Sequence, residues 1–186
     1  MAEHGGVNAE AGDLIAAAKR AGRGGKPPVH LWDPPYCGEI DIVIRRDGTW
    51  FHEGTPIGRQ GLVRLFASIL KREGDRHFLV TPVEKVGIRV EDAPFVAVDF
   101  TERDGTITFT TNVGDTVAAG PDHPMRFPLA PDGEPSPYVE VRAGLEALID
   151  RKSFYRLVDL GEERDGLFGI ASNGAFFPIM EAADLL

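Results

Sequence analysis

Apolar and polar residues alternate through residues 39–45, with Ile40, Ile42 and Ile44 on one side and Glu39, Asp41 and Arg45 on the other. That two-residue period predicts a half-buried strand. Asp47-Gly48 follows, a dipeptide that supplies the positive φ of a two-residue hairpin turn. A tight turn there sets Arg45 opposite Trp50, Ile44 opposite Phe51 and Val43 opposite His52. The next period is longer. Leu62, Leu65, Phe66, Ile69 and Leu70 fall at i, i+3, i+4, i+7 and i+8, the stripe of an amphipathic helix, with Gly74 as its stop.

Beyond Gly74 the two-residue period returns. Phe78-Leu79-Val80 is a short apolar strand, and Val86, Ile88 and Val90, then Val96, Val98 and Phe100, then Ile107 and Phe109, mark three more. Short turns between them, including Asp104-Gly105, predict an antiparallel meander. The Gly- and Pro-rich stretch 111–132 reads as a connection, with short edge strands at Thr116-Val117-Ala118 and Met125-Arg126-Phe127. Val141, Leu145, Leu148 and Ile149 predict a second amphipathic helix. Three strands are then expected at residues 155–158, 167–170 and 175–177.

Self-similarity organises these elements. Asp47-Gly48 matches Asp132-Gly133, Gly61-Leu62 matches Gly144-Leu145, Leu79-Val80 matches Leu157-Val158, and Gly87-Ile88 matches Gly169-Ile170, at offsets near 80 residues. The expected fold is therefore α+β, with two tandem similar motifs at 29–115 and 116–186. Each is an amphipathic helix on a small, mainly antiparallel sheet. Residues 1–28, small, polar and Gly-rich, read as a mobile N-terminal arm. It carries a marginal helix capped by Asn8 or Asp13, with Leu14, Ile15 and Ala18 on one face.

Composition narrows the function. The 186 residues carry 29 acidic and 20 basic side chains, a net charge of −9, which argues against a primary nucleic-acid binder. No apolar run approaches a membrane span and no leader pattern opens the chain, so a cytoplasmic protein with no membrane partner is expected. A single cysteine, Cys37, forms no internal disulfide and no multi-cysteine zinc framework.

One group of residues carries a family likeness. Asp47-Gly48-Thr49-Trp50-Phe51, Glu53-Gly54-Thr55-Pro56-Ile57, Leu62-Val63-Arg64-Leu65-Phe66, residues 80–88 and Asp92-Ala93-Pro94-Phe95 together resemble a bacterial family defined as domain of unknown function 1285. The likeness spans about residues 29–180 and leaves the N-terminal arm outside. It implies two similar α+β motifs packed together with a cleft between them, and a part in signalling. It implies no activity, so it assigns no catalytic residue.

Candidate chemistry is sparse. His30, Asp33, Cys37 and His52 match no known metal spacing, and Ser68, Ser136 and Ser153 lie in no nucleophile elbow. No cofactor motif is present: Gly54-Thr55-Pro56-Ile57-Gly58-Arg59 lacks the ending of a phosphate loop. It does lead into the amphipathic helix, whose first amides with Arg59 could hold an anion. Glu53 and Glu84 border turns and are the carboxylates to examine as an acid/base pair of a hydrolase-type enzyme. Trp32, Asp33 and Tyr36 form an aromatic loop, and Arg45 over exposed Trp50 would suit a binding surface. The leading expectation is a non-catalytic binding or signalling module. It would take a small anionic ligand or a peptide in a groove between the two repeated motifs, lined by Glu53, Arg59, Glu84 and Lys85, with Trp32, Asp33 and Tyr36 at its rim. An adaptor acting through the sheet edge near Val117 and Phe127, with homodimerisation as its mark, is the third expectation.

Overall fold

The computed structural model describes residues 11–185, and the chain divides into two compact units that meet at Asp92/Ala93. This break replaces the one expected at 115/116. It falls earlier because the strands at 95–111 pair with later strands rather than with those before them.

In the first unit, α1 (Ala11–Ala21) is not a loose arm: it buries Leu14 and Ala18 completely and packs on α2 (Gln60–Ser68). Apolar residues at helical spacing found a partner face, which supplies what a lone short helix lacks. The Asn8 cap lies outside the described residues. Strands β1 (Tyr36–Ile44), β2 (Trp50–His52), β3 (Thr55–Pro56), β4 (Leu70–Glu73), β5 (Arg76–Val80) and β6 (Lys85–Val90) form one sheet in the order β3-β2-β1-β6-β5-β4. Every pair is antiparallel except the central β1–β6 pair.

The first hairpin is one residue out of the expected register. Ile44 faces Trp50, Val43 faces Phe51 and Ile42 faces His52. Asp47-Gly48 belongs to a five-residue turn, closed by Arg45 N–H donating to Thr49 O at 2.9 Å, with Gly48 at φ 87°. Asp47 Oδ1 accepts from Thr49 N–H at 2.9 Å, and that bond, first of all, holds the Asp47 carboxyl below its ordinary pKa. A slip of one residue exchanges the two faces of a strand. Trp50 consequently lies in the core, 1% exposed and stacked on Phe66 at 6.3 Å, while Arg45 covers the Phe51 ring at 3.8 Å. The expected exposed Trp50 and its Arg45 contact are thereby corrected. Helix α2 ends at Ser68, so Leu70 opens β4, and Gly74 (φ 60°) turns β4 into β5 instead of stopping a helix.

The second unit repeats this sheet. Its strands are β7 (Phe95–Arg103), β8 (Thr106–Thr111), β9 (Thr116–Ala118), β10 (Met125–Arg126), β11 (Tyr138–Arg142) and β12 (Leu145–Ile149), in the order β10-β11-β12-β7-β8-β9. Its central pair, β7–β12, is again parallel. The expected helix at 141–149 is instead the β11–β12 hairpin, turned by Ala143-Gly144 at φ 46° and 78°. Alternating burial along both strands is decisive: Val139 and Val141, then Leu145, Ala147 and Ile149, all face inward. The helix lies one element later. α3 (Arg151–Val158) occupies the expected strand at 155–158, because Asp150 caps it by accepting from Ser153 N–H at 2.8 Å. A separate three-stranded sheet of β13 (Glu162–Arg164), β14 (Leu167–Ser172) and β15 (Ala175–Glu181) follows.

The repeat is thus a six-stranded sheet whose first and last strands pair in parallel at its centre. β1 and β7 begin 59 residues apart (95 − 36), and β6 and β12 begin 60 apart (145 − 85). The 80-residue offset expected from dipeptides paired non-equivalent turns: Asp47-Gly48 joins β1 to β2, whereas Asp132-Gly133 lies between β10 and β11.

Candidate functional site

A hollow of about 370 Å³ opens on the first unit, lined by Tyr36, Glu73, Arg76, Phe78 and Lys85. Its residues come from four strands brought together by register. Tyr36 at the start of β1 stands level with Lys85 on β6, and Lys85 level with Val80 on β5. Strand alternation puts Arg76 and Phe78 on one face of β5, opposite the face whose Leu79 enters the core. The β4–β5 turn places Glu73 directly opposite Arg76.

Two cations and two rings meet here. Tyr36 stands edge-on to Phe78 with centroids 6.2 Å apart. The Arg76 guanidinium lies 5.3 Å from the Tyr36 ring and 4.9 Å from the Phe78 ring, and Lys85 Nζ is 4.9 Å from the same Phe78 ring. Lys85 donates to Glu73 Oε2 at 2.8 Å, and Lys71 pairs with Glu73 Oε1 at 3.3 Å. The Lys85 hydrogen bond, with help from Lys71, keeps the Glu73 carboxyl below its ordinary pKa. Arg76 pairs with Glu39, whose Oε1 also accepts from the Tyr36 hydroxyl at 2.6 Å. Lys85 is only 14% exposed, whereas Arg76 is 55% exposed at the rim.

Of the seven residues expected to line a site, Tyr36 and Lys85 meet in this hollow. Trp32 is half-buried nearby in sequence, and its carbonyl accepts from Lys71 Nζ at 3.0 Å. Asp33 is exposed. Glu53 sits at the tip of the β2–β3 turn, at φ 49° and exposed, and Arg59 is the exposed residue before α2 with no side-chain cap. Glu84 belongs to the β5–β6 turn, where Thr81 Oγ1 accepts from its N–H at 3.2 Å. Glu53, Arg59 and Glu84 are not among the residues lining this hollow. Among the described residues no three His, Cys, Asp or Glu side chains converge as a metal set. The edge strands expected at Val117 and Phe127 do flank the second sheet, with both side chains turned into its core.

Arg76, Phe78, Glu73 and Glu39 were the residues not foreseen as site residues. The available signal was Lys71, Glu73 and Arg76 around Gly74, a charge-alternating hairpin hidden when residues 70–74 are read as a helix end.

A second hollow, of about 410 Å³, lies in the second unit beside Glu102, Ser172, Glu162 and Arg164. Its polar groups are engaged in holding the fold. Ser172 Oγ accepts from Ile107 N–H at 2.9 Å and donates to Ala119 O at 2.7 Å. Glu102 accepts from Gly105 N–H at 2.9 Å, and Arg164 pairs with Glu162. None of the expected site residues lines it.

Comparison with known proteins places these observations. Residues 27–93 match the model described as "Domain of unknown function (DUF1285), N-terminal domain", and residues 94–179 match "Protein of unknown function (DUF1285), C-terminal domain". The crystal structure of a DUF1285 family protein from Silicibacter pomeroyi DSS-3 is 61% identical, with a TM-score of 0.85 over 92% of this chain and 97% of that one. A DUF1285 family protein from Shewanella baltica OS155 is 32% identical, with a TM-score of 0.52 over 63% of this chain and 90% of that one. No curated protein matches the chain.

Proposed function

Because this chain belongs to the DUF1285 family, defined by sequence and without an assigned reaction, we propose its role from its own residues: a non-catalytic, cytoplasmic binding module. It takes a small anionic ligand, or an acidic peptide side chain, in the hollow between Tyr36 and Lys85. The observation that carries this reading is the convergence of two cations, Arg76 and Lys85, on two aromatic rings in one cavity. Such a cavity combines apolar walls with a few placed polar groups, the usual make-up of a ligand site. Binding here, rather than chemistry, would underlie the part in signalling that the family likeness implies.

An acid/base enzyme finds no support in Glu53 or Glu84. Glu53 is exposed, Glu84 half-buried, and among the described residues neither carboxylate has a hydrogen-bond or ion-pair partner to tune it.

The test is a thermal-shift screen against small anionic metabolites. Hits should lose their stabilisation in the Arg76→Gln/Lys85→Gln double variant and keep it in Arg59→Gln. Stabilisation that survives the double variant would place the ligand elsewhere.

A further inference from the structure

The two cations of the hollow are held differently. Lys85 is gripped by Glu73 from within the cavity lining. Arg76 is paired instead with Glu39, which reaches it from across a strand. Glu39 on β1 stands level with Gly87 on β6, and Gly87 level with Phe78 on β5. The Glu39 carboxylate occupies the space where a Cβ on residue 87 would stand. Only glycine leaves that path open. Both partners of the carboxylate, the Arg76 guanidinium and the Tyr36 hydroxyl, belong to residues that line the hollow.

Resting on the reading of this hollow as an anion site, we infer that its ligand class is a monocarboxylate with a flat apolar body, and that Glu39 is the internal carboxylate it displaces. The donors around Glu39 already fit a planar carboxylate: a guanidinium fork and a phenol hydroxyl. Exchange of one carboxylate for another frees and refills a single positive charge, since Lys85 stays with Glu73. A phosphate dianion would bring a second negative charge, and among the described residues lining the hollow the other cation, Lys85, is already paired with Glu73. The apolar body of the ligand rests against the Tyr36 and Phe78 rings. Displacement is easy because both members of the pair are about half exposed, 55% for Arg76 and 52% for Glu39, and solvent-exposed ion pairs hold weakly. Glu39 therefore sets both the affinity and the charge of what the site accepts.

The experiment titrates benzoate and, separately, inorganic phosphate into the full chain and its variants by calorimetry. Glu39→Gln removes the competitor and should tighten benzoate roughly tenfold, with a smaller gain for phosphate. Gly87→Ala keeps the Glu39 charge but pushes its flexible end off the path, and should tighten benzoate in the same direction. Asp41→Asn removes an exposed carboxylate two residues along β1, paired with Arg89 at 3.9 Å, and controls for general charge; its gain should be under twofold. Arg76→Gln should abolish binding. If Glu39→Gln and Asp41→Asn act alike, or Glu39→Gln weakens benzoate while Arg76→Gln still abolishes it, the displacement is wrong and the hollow stands as a site. If phosphate gains as much as benzoate, the monocarboxylate class is wrong. If Arg76→Gln changes nothing, or benzoate binds none of these proteins, both readings fall.

Discussion

The two six-stranded sheets share one topology and solve the problem of covering it differently. In the first unit α2 is inserted between β3 and β4, and its Phe66 stacks on Trp50. In the second, the corresponding stretch between β9 and β10 holds no helix. There α3 follows β12 and is tied to β7: Arg156 reaches Asp99 at 2.5 Å and Phe100 O at 3.1 Å, and Phe154 packs by Phe127 at 6.1 Å. The strands therefore carry the repeat, and the helices do not. A sheet's order is fixed by its turns and by pairing along whole strands, whereas its apolar face accepts any amphipathic helix the chain can bring to it.

The comparison is broken most forcefully at the core of the first sheet. Trp50→Ala should cost about 3–5 kcal/mol, as for a buried aromatic truncated to leave a cavity. Phe109→Ala, fully buried on β8, the strand corresponding to β2, should cost a similar amount. Urea unfolding followed by far-ultraviolet circular dichroism measures both. A cost for Trp50→Ala within about 0.5 kcal/mol would put that side chain on the surface and restore the tight-turn register.

The helices give the next test, because α3 has a side-chain N-cap and α2 has none. Asp150 accepts from Ser153 N–H, whereas Arg59, in the equivalent position before α2, makes no side-chain cap bond at φ −84° and ψ 106°. Asp150→Ala should destabilise by about 1 kcal/mol, and Arg59→Asp should stabilise by about 0.5–1 kcal/mol, since the backbone there already has the extended form a cap requires. Thermal melts resolve both signs. A destabilising Arg59→Asp would mean that the arginine stem packs on the helix in a way its exposure does not suggest.

These residues also explain how far the sequence could be read. Alternation at 40–44, 96–100 and 107–109 located β1, β7 and β8, and the stripe from Leu62 to Phe66 located α2. The stripe ran on to Leu70 only because an apolar residue opening a strand looks like one closing a helix. Val141, Leu145 and Ile149 satisfy both a 3.6-residue period and a two-residue period broken by a turn, Leu148 fits only the first, and Ala143-Gly144 was the evidence for the turn. Ser153, three residues after Asp150, was the matching sign of α3. The register at Asp47-Gly48 was a choice between a two-residue and a five-residue turn, which the dipeptide does not distinguish. That choice alone moved Trp50 from surface to core. Of the site, Tyr36 and Lys85 were legible because an exposed aromatic beside a turn and a cation on a strand stand out locally. Arg76 and Glu39 were not, since they join the site only through the cross-strand row Glu39–Gly87–Phe78.

The smallest test concerns an echo between the sheets. In the first, Glu73 on β4 reaches over β5 to Lys85 on β6, and Lys85 lies above Phe78. In the second, Arg126 on β10 reaches over β11 to Glu146 on β12, and Arg126 lies 4.4 Å from the Tyr138 ring. The pattern is the same with the charges exchanged. Arg126 makes two hydrogen bonds to Glu146, at 2.6 and 2.9 Å, whereas Glu73 divides its oxygens between Lys85 and Lys71. Double-mutant cycles should therefore give a larger coupling for Arg126–Glu146 than for Lys85–Glu73, both under about 1 kcal/mol. Acid adds a second readout. Because Lys85 first, then Lys71, holds the Glu73 carboxyl below its ordinary 4.5, the folded state binds its proton less readily than the unfolded chain. The contribution of Glu73 to stability is full above about pH 4.5 and drains away as pH falls through the depressed value. Glu73→Gln should flatten that part of the acid limb. A limb unchanged in this variant would mean that the Lys85–Glu73 pair adds nothing to folding, and would leave Lys85 free to meet a ligand directly.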